Sequence, residues 1–460
     1  MVKEYKRILI ANRGEIAVRI IRACRELGIE TVSVHSKIDA GALHTRISDY
    51  QICIGNFSSR ESYLNSYNIL SAAKNMKVDA IHPGIGYFAE NGDFAELCEK
   101  CEIDYIGAGS RIVNLMGNKI EAKRIAQQCG IPVIGSDSVE VKSAEDCYEY
   151  IEKSGLPVIL KAANGGGGKG IRVVRTLDEL KRNLELCRKE AKTTFGNSSI
   201  LIEKYIENVK HVEIQVIGDK YGNVIHLGER ECSIQRSNQK LIEEAQCIYN
   251  KEEIRNKMYE DSLKLCRYIG YVGPGTVEYL LESDGTYYFM EMNTRLQVEH
   301  TITEMLTGVD IVKEQILIAQ GNPLQYTQSD ISFNGYTLEC RILAEYVKEE
   351  FIPSFGKITK WHLPGGFGVR VDTGYEIYDE VTPFYDSLLA KICCFGATKE
   401  AALTKMICCL QEIDIEGIST NVPFLLRILR DDKFLSGDYN TDFIRKLIDE
   451  KNVLETVQKS

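Results

Sequence analysis

Two carboxylates in the second half of the chain are spaced to face each other across a β-hairpin. Segments 275–281 and 286–293 have strand-like composition, and the Asp-Gly dipeptide between them is typical of a two-residue turn. That turn sets a register with Glu278 opposite Glu291 and with Asn293 further along the same face. Opposed like charges destabilise a sheet, so the pair predicts a divalent cation, and oxygen ligands favour Mg²⁺ bound together with substrate phosphates. The alternatives are a solvated hairpin face, or a three-residue turn that shifts the pairing by one position.

A run of four glycines follows a predicted strand that carries Lys161. The strand covers 156–163, and the glycines at 165–168 leave their backbone amides uncovered, so that they can fold over anionic oxygens. A Walker A loop needs Ser or Thr after its lysine, whereas Gly170 follows Lys169, which excludes a P-loop NTPase. A flexible hairpin turn is the alternative.

Cations and one acid lie close together on either side of the hairpin. After Asn293, Arg295 can hold a planar oxyanion in a bidentate fork, and Glu299 is near enough to act as a base. Upstream, the segment 235–240 adds further cations, among them Lys240. On the preceding strand, 211–218, the polar side chains of alternate residues share one face, for which solvation is the alternative explanation.

The elements that position these residues are of the α/β type. In the first third, strands predicted at 7–11, 30–35, 80–83 and 103–106 alternate with helices and indicate a parallel sheet. Asn12 followed by Glu15 resembles a capping box for the first helix. A GxGxxG match at 84–89 lacks the acidic partner of a dinucleotide site, so we interpret its glycines as backbone turns.

Composition limits the function classes. The 460 residues correspond to about three domains. A net charge of −10 without a long basic block argues against sequence-independent nucleic-acid binding, and no apolar run is long enough for a membrane span. Fifteen cysteines without an export signal indicate free, mostly buried thiols in a cytoplasmic protein.

Taken together, these motifs resemble the biotin carboxylase family of the ATP-grasp superfamily over about residues 5–447. The resemblance rests on IANRGE (10–15), HPGIGYFAEN (82–91), MGNK (116–119), the glycines 165–168 with Lys161, EKYI (203–206), HVEIQ (211–215), EMNTRLQVE (291–299), ECR (339–341), PGGFGVR (364–370) and YDS (385–387). It implies an N-terminal doubly wound α/β domain (1–115), an ATP-grasp domain (116–330) with a mobile lid at about 133–205, a C-terminal biotin carboxylase domain (331–448) and a tail (449–460).

The resemblance also implies roles for individual residues. Lys119, Lys161 and the Gly167–Gly168 loop are expected to contact ATP phosphates. The remaining ligand-binding residues implied are Glu203, Lys204, Tyr205 and Ile206 around adenine, His211 beside the nucleotide, and Gln235, Asn238 and Asp386. Magnesium (or manganese) is expected on Glu278, Glu291 and Asn293.

Catalysis is implied for four residues. Lys240, Arg295 and the Val298 backbone are expected to hold bicarbonate, which Glu299 deprotonates for attack on the γ-phosphate of ATP to give carboxyphosphate. Arg341 is expected to stabilise the biotin enolate. The product is carboxybiotin, made in the first half-reaction of an acyl-CoA carboxylase, with acetyl-CoA and fatty acid biosynthesis as the first expectation and a pyruvate, propionyl-CoA or other carboxylase as the alternative.

The sequence departs from the family pattern at several positions. These are Ile85, Ser237, Asn238, Thr301, Leu343 and Tyr346. Asn238 stands where the family usually has a histidine, so weakened ATP binding is one expectation, and a catalytically impaired scaffold paralogue is a second. Another ATP-grasp ligase is disfavoured by ECR.

The expected partners follow from the resemblance and from one missing motif. No Ala-Met-Lys-Met tetrapeptide occurs, so biotin is expected on a separate biotin carboxyl carrier protein, with carboxyltransferase subunits as further partners. The chain is expected to form a homodimer through the first helix, which carries Arg19 and Glu26. We expect neither a nucleic-acid nor a membrane partner.

Overall fold

The computed structural model describes residues 2–134, 139–163, 170–196, 198–247 and 251–449. It has the predicted three-domain α/β architecture, and its described residues form a five-stranded parallel sheet, a four-stranded and an eight-stranded antiparallel sheet, and three two-stranded antiparallel sheets. Within the described ranges, no helix is both long and apolar enough to cross a bilayer. All fifteen cysteines are free, and twelve of them are buried, as expected from the composition.

The N-terminal domain is built on a parallel sheet in the order β3-β2-β1-β4-β5. Its central strands β1, β2 and β4 are almost entirely buried, whereas the edge strand β3 is largely exposed. In chain order the elements are β1 (Arg7–Ile10), α1 (Gly14–Glu26), β2 (Glu30–Ser36), α2 (Leu43–Ile47), β3 (Tyr50–Gly55), α3 (Ser66–Asn75), β4 (Ala80–His82), α4 (Gly92–Lys100) and β5 (Asp104–Tyr105). The predicted alternation of strands and helices is confirmed.

The capping box predicted for the first helix is wrong. Arg13 is the N-cap of α1 and makes no side-chain cap. The Asn12 amide instead donates to the carbonyls of Pro83 and Ile85, at 2.7 Å each. Gly84 and Gly86 in that turn have φ of +68° and +67°, so the glycines of the GxGxxG match do serve a tight backbone turn.

A small antiparallel sheet, in the order β6-β9-β7-β8, follows two connecting helices. The elements are α5 (Ser110–Gly117), α6 (Lys119–Gln128), β6 (Val139–Val141), α7 (Ala144–Ser154), β7 (Val158–Ala162), β8 (Ile171–Val174), α8 (Leu177–Phe195) and β9 (Ile200–Lys204). Lys161 lies on β7, as predicted. Gly167 and Gly168 lie outside the described residues.

The large sheet has eight antiparallel strands in the order β14-β13-β10-β11-β12-β15-β22-β20 and passes from the ATP-grasp region into the C-terminal region. Its first part comprises β10 (Lys210–Gly218), β11 (Val224–Arg236), β12 (Gln239–Ala245), α9 (Glu252–Ile269), β13 (Gly273–Leu281), β14 (Tyr287–Asn293), α10 (His300–Thr307) and α11 (Ile311–Gln320). Val212, Ile214 and Val216 of β10 pack into a core with α9. His211, Glu213 and Gln215 on the other face are also buried, so the solvated-face alternative is wrong.

The C-terminal region completes this sheet with β15, β20 and β22. Its elements are β15 (Tyr336–Leu343), β16 (Glu345–Tyr346), β17 (Ile352–Pro353), β18 (Gly356–Lys357), β19 (Lys360–His362), β20 (Val369–Thr373), β21 (Glu380–Val381), β22 (Leu388–Gly396), α12 (Lys399–Glu412), β23 (Asp414–Glu416), α13 (Val422–Leu429) and α14 (Asp432–Ser436). Because the sheet is continuous, residues of β12, β13 and β15 share one surface.

The β13–β14 hairpin has the predicted pairing for a reason that the sequence did not reveal. The Glu282 amide donates to the Thr286 carbonyl at 2.8 Å, so the turn has three residues and not two. A β-bulge after Glu278 then shifts the register by one position, which restores Glu278 opposite Glu291.

Candidate active site

A cleft of about 1350 Å³ is lined by residues from all three domains. It contains every predicted site residue that belongs to the described ranges. These are Lys119, Lys161, Glu203, Lys204, Tyr205, Ile206, His211, Gln235, Asn238, Lys240, Glu278, Glu291, Asn293, Arg295, Val298, Glu299, Arg341 and Asp386. Their individual roles remain predictions.

Glu278, on β13, is the centre of a buried cluster of polar side chains. One of its carboxylate oxygens accepts from Asn293 Nδ2 at 2.6 Å and from Gln297 Nε2 at 2.8 Å, and the other lies 2.9 Å from His211 Nε2. Burial alone raises the pKa of Glu278, but Lys240 and His211 outweigh it and hold this pKa below its usual range. Burial lowers the pKa of His211, and the charge of Glu278 reverses that shift, so this pKa is raised.

Glu291, across the hairpin, pairs with Lys119 at the start of α6. Together with Glu278 and the Asn293 amide oxygen, Glu291 forms a set of hard oxygen donors, which fits Mg²⁺. When bound, such a cation neutralises phosphate charge. In this structure Lys119 occupies the position of a counter-ion to Glu291.

Glu299 lies between two cations in the middle of the cleft. Lys240 Nζ is 2.5 Å from one of its oxygens, and Arg341 Nη2 is 3.0 Å from the other. Burial would raise the pKa of Glu299, but the charges of Lys240, Arg341 and Arg230 lower it well below its ordinary value. The carboxylate is therefore ionised at neutral pH, and the cations around it can also attract an anionic substrate.

The guanidinium of Arg341 is bound by Glu243, a residue for which the sequence predicts no role. Arg341 Nε donates to Glu243 Oε1 at 2.6 Å, and Glu243 lies directly opposite Glu339 on the neighbouring strand. Burial raises the pKa of Glu243 to about 8, with Arg341 opposing the shift and Glu339 adding to it. The pairing of β12 with β15, which brings these residues together, is not encoded in any local pattern.

The predicted phosphate contact Lys161 shares Glu203 with a second lysine. Lys161 Nζ donates to one Glu203 oxygen at 2.9 Å, and Lys123, one turn after Lys119 on α6, pairs with the other. Burial lowers the pKa of Lys123 to about 8 in spite of the charge of Glu203. The helical spacing of Lys119 and Lys123 was a usable signal that the sequence analysis overlooked.

Arg295 is held by contacts with the N-terminal domain and with the end of β14. Its Nε donates to Glu90 at 2.7 Å, and its Nη2 donates to the Asn293 side chain at 3.1 Å. Glu90 belongs to the HPGIGYFAEN segment of the N-terminal domain, so this contact joins two domains.

Arg230 on β11, which the sequence did not indicate as a site residue, hydrogen-bonds several of the buried side chains that support the site. Its guanidinium is fully buried and donates to Glu213 at 2.5 Å and to Gln297 at 2.7 Å. Glu213 in turn accepts from Lys240 at 2.6 Å, and Gln297 donates to Glu278. Arg230 therefore supports both the predicted cation site and the predicted bicarbonate site.

The unusual residues Ser237 and Asn238 form the two-residue turn between β11 and β12. Both have positive φ, +51° and +62°, and Arg236 pairs with Gln239 across the turn. Such a turn favours asparagine. The local backbone therefore accounts for the type of residue at 238, which still lines the cleft.

The three segments of the chain match three family models. Residues 4–113 match the biotin carboxylase N-terminal domain, 118–327 the carbamoyl-phosphate synthase L chain ATP binding domain, and 339–446 the biotin carboxylase C-terminal domain. Biotin carboxylase 1 of Bacillus subtilis is 49% identical over 440 residues, which cover 95% of this chain and 98% of that protein. The chain belongs to the biotin carboxylase family.

As a biotin carboxylase, the chain is an ATP-dependent ligase of the ATP-grasp type. The 2-oxoglutarate carboxylase small subunit of Hydrogenobacter thermophilus is 46% identical over 443 residues, which cover 96% of this chain and 93% of that protein. A crystal structure of the biotin carboxylase domain dimer of that 2-oxoglutarate carboxylase, with MgADP, ADP and bicarbonate, covers 96% of this chain and 97% of its own, with a TM-score of 0.94 and 46% identity. The expected family and fold are confirmed.

Proposed function

We propose that this biotin carboxylase uses ATP, Mg²⁺ and bicarbonate to carboxylate biotin on a separate carrier protein. The observation that carries the proposal is the position of Glu299, an ionised acid between Lys240 and Arg341 in the same cleft as the Glu278–Glu291 pair. The cleft thus contains an ionised acid, cations that can bind an anion and carboxylates that can bind a metal ion. This set matches a reaction that joins bicarbonate to the phosphate of a nucleotide.

In the proposed reaction Glu299 takes the proton of bicarbonate, while Lys240 and Arg295 hold its oxygens. The bicarbonate oxygen then attacks the γ-phosphorus of ATP, the bond to the β-phosphate oxygen breaks, and ADP and carboxyphosphate result. Lys119 and Lys161 stabilise the charge on the phosphate oxygens. Glu278, Glu291 and Asn293 would hold Mg²⁺, which neutralises charge on the phosphates.

Carboxyphosphate then decomposes to CO₂ and phosphate, and the phosphate removes the N1 proton of biotin. The enolate that forms carries negative charge on the ureido oxygen. Arg341 stabilises that charge, and N1 attacks CO₂ to give carboxybiotin. Glu243 keeps the guanidinium in place, because its Oε1 contacts both Nε and Nη2, while Nη2 also donates to Glu299.

The nucleotide-binding residues and the domain limits are part of the proposal. Glu203, Lys204, Tyr205 and Ile206 bind adenine, with His211, Gln235 and Asn238 near the phosphates and Asp386 near biotin. The Gly167–Gly168 pair, for which the family resemblance implies contact with the ATP phosphates, lies outside the described residues. The domains are 1–115, 116–330 with a lid at 133–205, and 331–448, which is supported by family matches that fall inside these limits.

We propose acetyl-CoA as the final acceptor of the carboxyl group. A partner carboxyltransferase would transfer the group to it, in a cytoplasmic complex in which this chain is a homodimer. A keto acid is the second candidate, because the relative named 2-oxoglutarate carboxylase small subunit is nearly as similar as biotin carboxylase 1. The carboxyltransferase makes this choice. The candidate acceptors can be distinguished after the chain is purified with its native partners. Carboxylation is then assayed with acetyl-CoA, propionyl-CoA, pyruvate and 2-oxoglutarate.

The decisive test of the first step is ATP hydrolysis by the purified chain with free biotin. We expect hydrolysis that requires both bicarbonate and Mg²⁺ and that biotin stimulates. A different ATP-grasp ligase would not respond to biotin, and an impaired scaffold would show no turnover. The proposal that biotin is carried by a separate protein is tested by mass spectrometry of this chain after incubation with biotin ligase. We expect no biotin on this chain.

A further inference from the structure

Three successive carbonyl groups in the loop before α10 are each bound by a side chain. The Leu296 carbonyl accepts from Arg295 Nη1 at 3.2 Å, and the Gln297 carbonyl accepts from His300 Nδ1 at 2.8 Å. The Val298 carbonyl accepts from Lys391 Nζ at 2.7 Å. The main chain that leads into Glu299 is therefore fixed at every peptide group between Leu296 and Glu299.

Fixed carbonyls also determine where the amides point. In a planar trans peptide, the C=O and the following N–H point in opposite directions. Anchoring the carbonyls of Gln297 and Val298 thus turns the N–H groups of Val298 and Glu299 away from His300 and Lys391. Val298 and Glu299 both line the cleft, whereas neither anchor does.

Lys391 is the anchor that joins all three domains. It lies on β22 of the C-terminal domain and is fully buried, and its Nζ lies 3.2 Å from Glu15 of the N-terminal helix α1. Val298, its hydrogen-bond acceptor, belongs to the ATP-grasp domain. On the sheet, Lys391 is directly opposite Arg341 on one side and Asp372 on the other, so its side chain shares their face.

Lys391 carries a charge in this position. Burial lowers the pKa of a lysine, but Glu15, Glu339 and Asp372 outweigh burial, and the pKa of Lys391 is raised. His300 is different, because burial and nearby cations lower its pKa well below the ordinary value. It is a neutral imidazole that carries its proton on Nδ1, since a carbonyl only accepts.

We propose that Lys391 is a positioning residue of the bicarbonate site, which holds the Val298 carbonyl and thereby orients the peptide groups that lead to Glu299. This inference rests on the proposed function, in which the Val298 backbone and Glu299 bind and deprotonate bicarbonate. Lys391 acts through the loop and not on the substrate. Its removal affects the bicarbonate site and leaves the proposed nucleotide contacts on β7, β9 and α6 nearly intact.

A purely structural role is the competing explanation. Lys391 could serve only to neutralise Glu15, in which case its loss destabilises the fold by leaving a buried acid without a counter-ion. The double variant Lys391→Met/Glu15→Gln separates the two explanations. It removes both charges together, so it restores stability without restoring the hydrogen bond to Val298.

The experiment compares the Michaelis constants for bicarbonate and ATP, in biotin-stimulated ATP hydrolysis, with the melting temperature of each variant. For Lys391→Met we expect the bicarbonate KM to rise by about tenfold or more and the ATP KM to change by less than about threefold. In the double variant the melting temperature recovers and the bicarbonate KM stays high. Lys399→Met, which removes another buried lysine with a carboxylate partner (Glu244, 3.0 Å), is the matched control. It is expected to lower the melting temperature with an unchanged bicarbonate KM.

Two results would overturn the proposal. One is a bicarbonate KM within about twofold of the wild-type value in Lys391→Met, and the other is recovery of that KM in the double variant. Should Lys391→Met fail to fold, Lys391→Arg keeps the charge but displaces the donor, and a normal bicarbonate KM in that variant would count against the proposal. Full turnover in Glu299→Gln would instead contradict the proposed function itself.

Discussion

The Lys119 ammonium pairs with the Glu291 carboxylate, so a predicted phosphate ligand and a predicted magnesium ligand neutralise each other. In the same cleft Lys161, another predicted phosphate ligand, pairs with Glu203, which is predicted to lie near adenine. We expect that a cation bound to Glu291 would replace Lys119 as its counter-ion and release the ammonium for a phosphate oxygen. We therefore expect magnesium binding and nucleotide binding to be coupled through this contact.

Replacement of Glu291 by glutamine tests that coupling. The variant loses an anionic metal ligand, and it also loses the partner that holds Lys119. We therefore expect tighter nucleotide binding in the absence of magnesium, by about three- to tenfold, and a much smaller gain on addition of magnesium. Isothermal titration calorimetry of ATP with EDTA and with Mg²⁺ measures both quantities.

Lys119→Met is the matched control for Glu291→Gln. It removes the other member of the pair, so we expect weaker nucleotide binding with and without magnesium. If both variants weaken magnesium-free binding equally, the pair does not compete with the nucleotide and the coupling is absent.

Glu299→Gln tests the base. The amide keeps the size of the side chain but cannot accept the bicarbonate proton, so bicarbonate-dependent hydrolysis is expected to fall by roughly two to four decades while ATP binding survives. Glu282→Gln, on the β13–β14 hairpin outside the cleft, is expected to retain full activity. Near-normal turnover in Glu299→Gln would assign the proton transfer to another group.

The hairpin shows how far sequence reasoning reaches in this chain. A two-residue turn was expected and a three-residue turn is present, yet the Glu278–Glu291 pairing is as predicted because a bulge after Glu278 compensates. The alternation of residue types shows which side chains share a face. It does not show a bulge, since the added residue Met290 is itself compatible with a strand.

The contacts that were missed involve buried cations brought in by distant elements. Arg230 meets Gln297, 67 positions away, and Lys391 meets Val298, 93 positions away. Such contacts depend on how β11 and β22 lie against the loop before α10. Local patterns identify the charged residue but not its partner, so a buried arginine or lysine cannot be told from a solvated one.

The buried histidine His226 predicts how the stability of the fold depends on pH in the acid range. Burial lowers the pKa of His226 to about 4, and its ring stacks on Tyr259 with centroids 3.9 Å apart. Between about pH 6.5 and pH 4 the unfolded chain binds a proton at this site that the folded chain does not. The contribution of His226 to stability is thus complete above pH 6.5 and is lost as the pH falls to 4, by up to about 3 kcal/mol.

His226→Phe keeps the stacked ring but removes the titration. We expect the loss of unfolding free energy between pH 6.5 and pH 4 to become smaller by up to about 3 kcal/mol, as measured by urea denaturation at several pH values. His362→Phe, which removes an exposed imidazole that lies 3.2 Å from Glu412, is the control. If the unfolding free energy depends on pH in the same way in both variants, His226 is not responsible for the loss of stability in acid.

Asn238→His tests the departure from the family pattern at the β11–β12 turn. Histidine tolerates the positive φ of this position better than most residues do, so the turn is expected to persist. When protonated, it adds a charge-assisted hydrogen bond to a phosphate oxygen that a neutral amide cannot provide. The gain is about 1 kcal/mol, or roughly five- to tenfold in ATP affinity.

The measurement for Asn238→His is ATP saturation at fixed magnesium and bicarbonate, with Ser237→His as the control in the same turn. Tighter ATP with a similar maximal rate in Asn238→His alone supports a working enzyme with altered nucleotide affinity. Activity that arises only in the variant would instead support the scaffold alternative for the native chain. If neither affinity nor rate changes, residue 238 does not contact the nucleotide, and the lysines of the cleft (Lys119, Lys161 and Lys240) carry the phosphate charge without it.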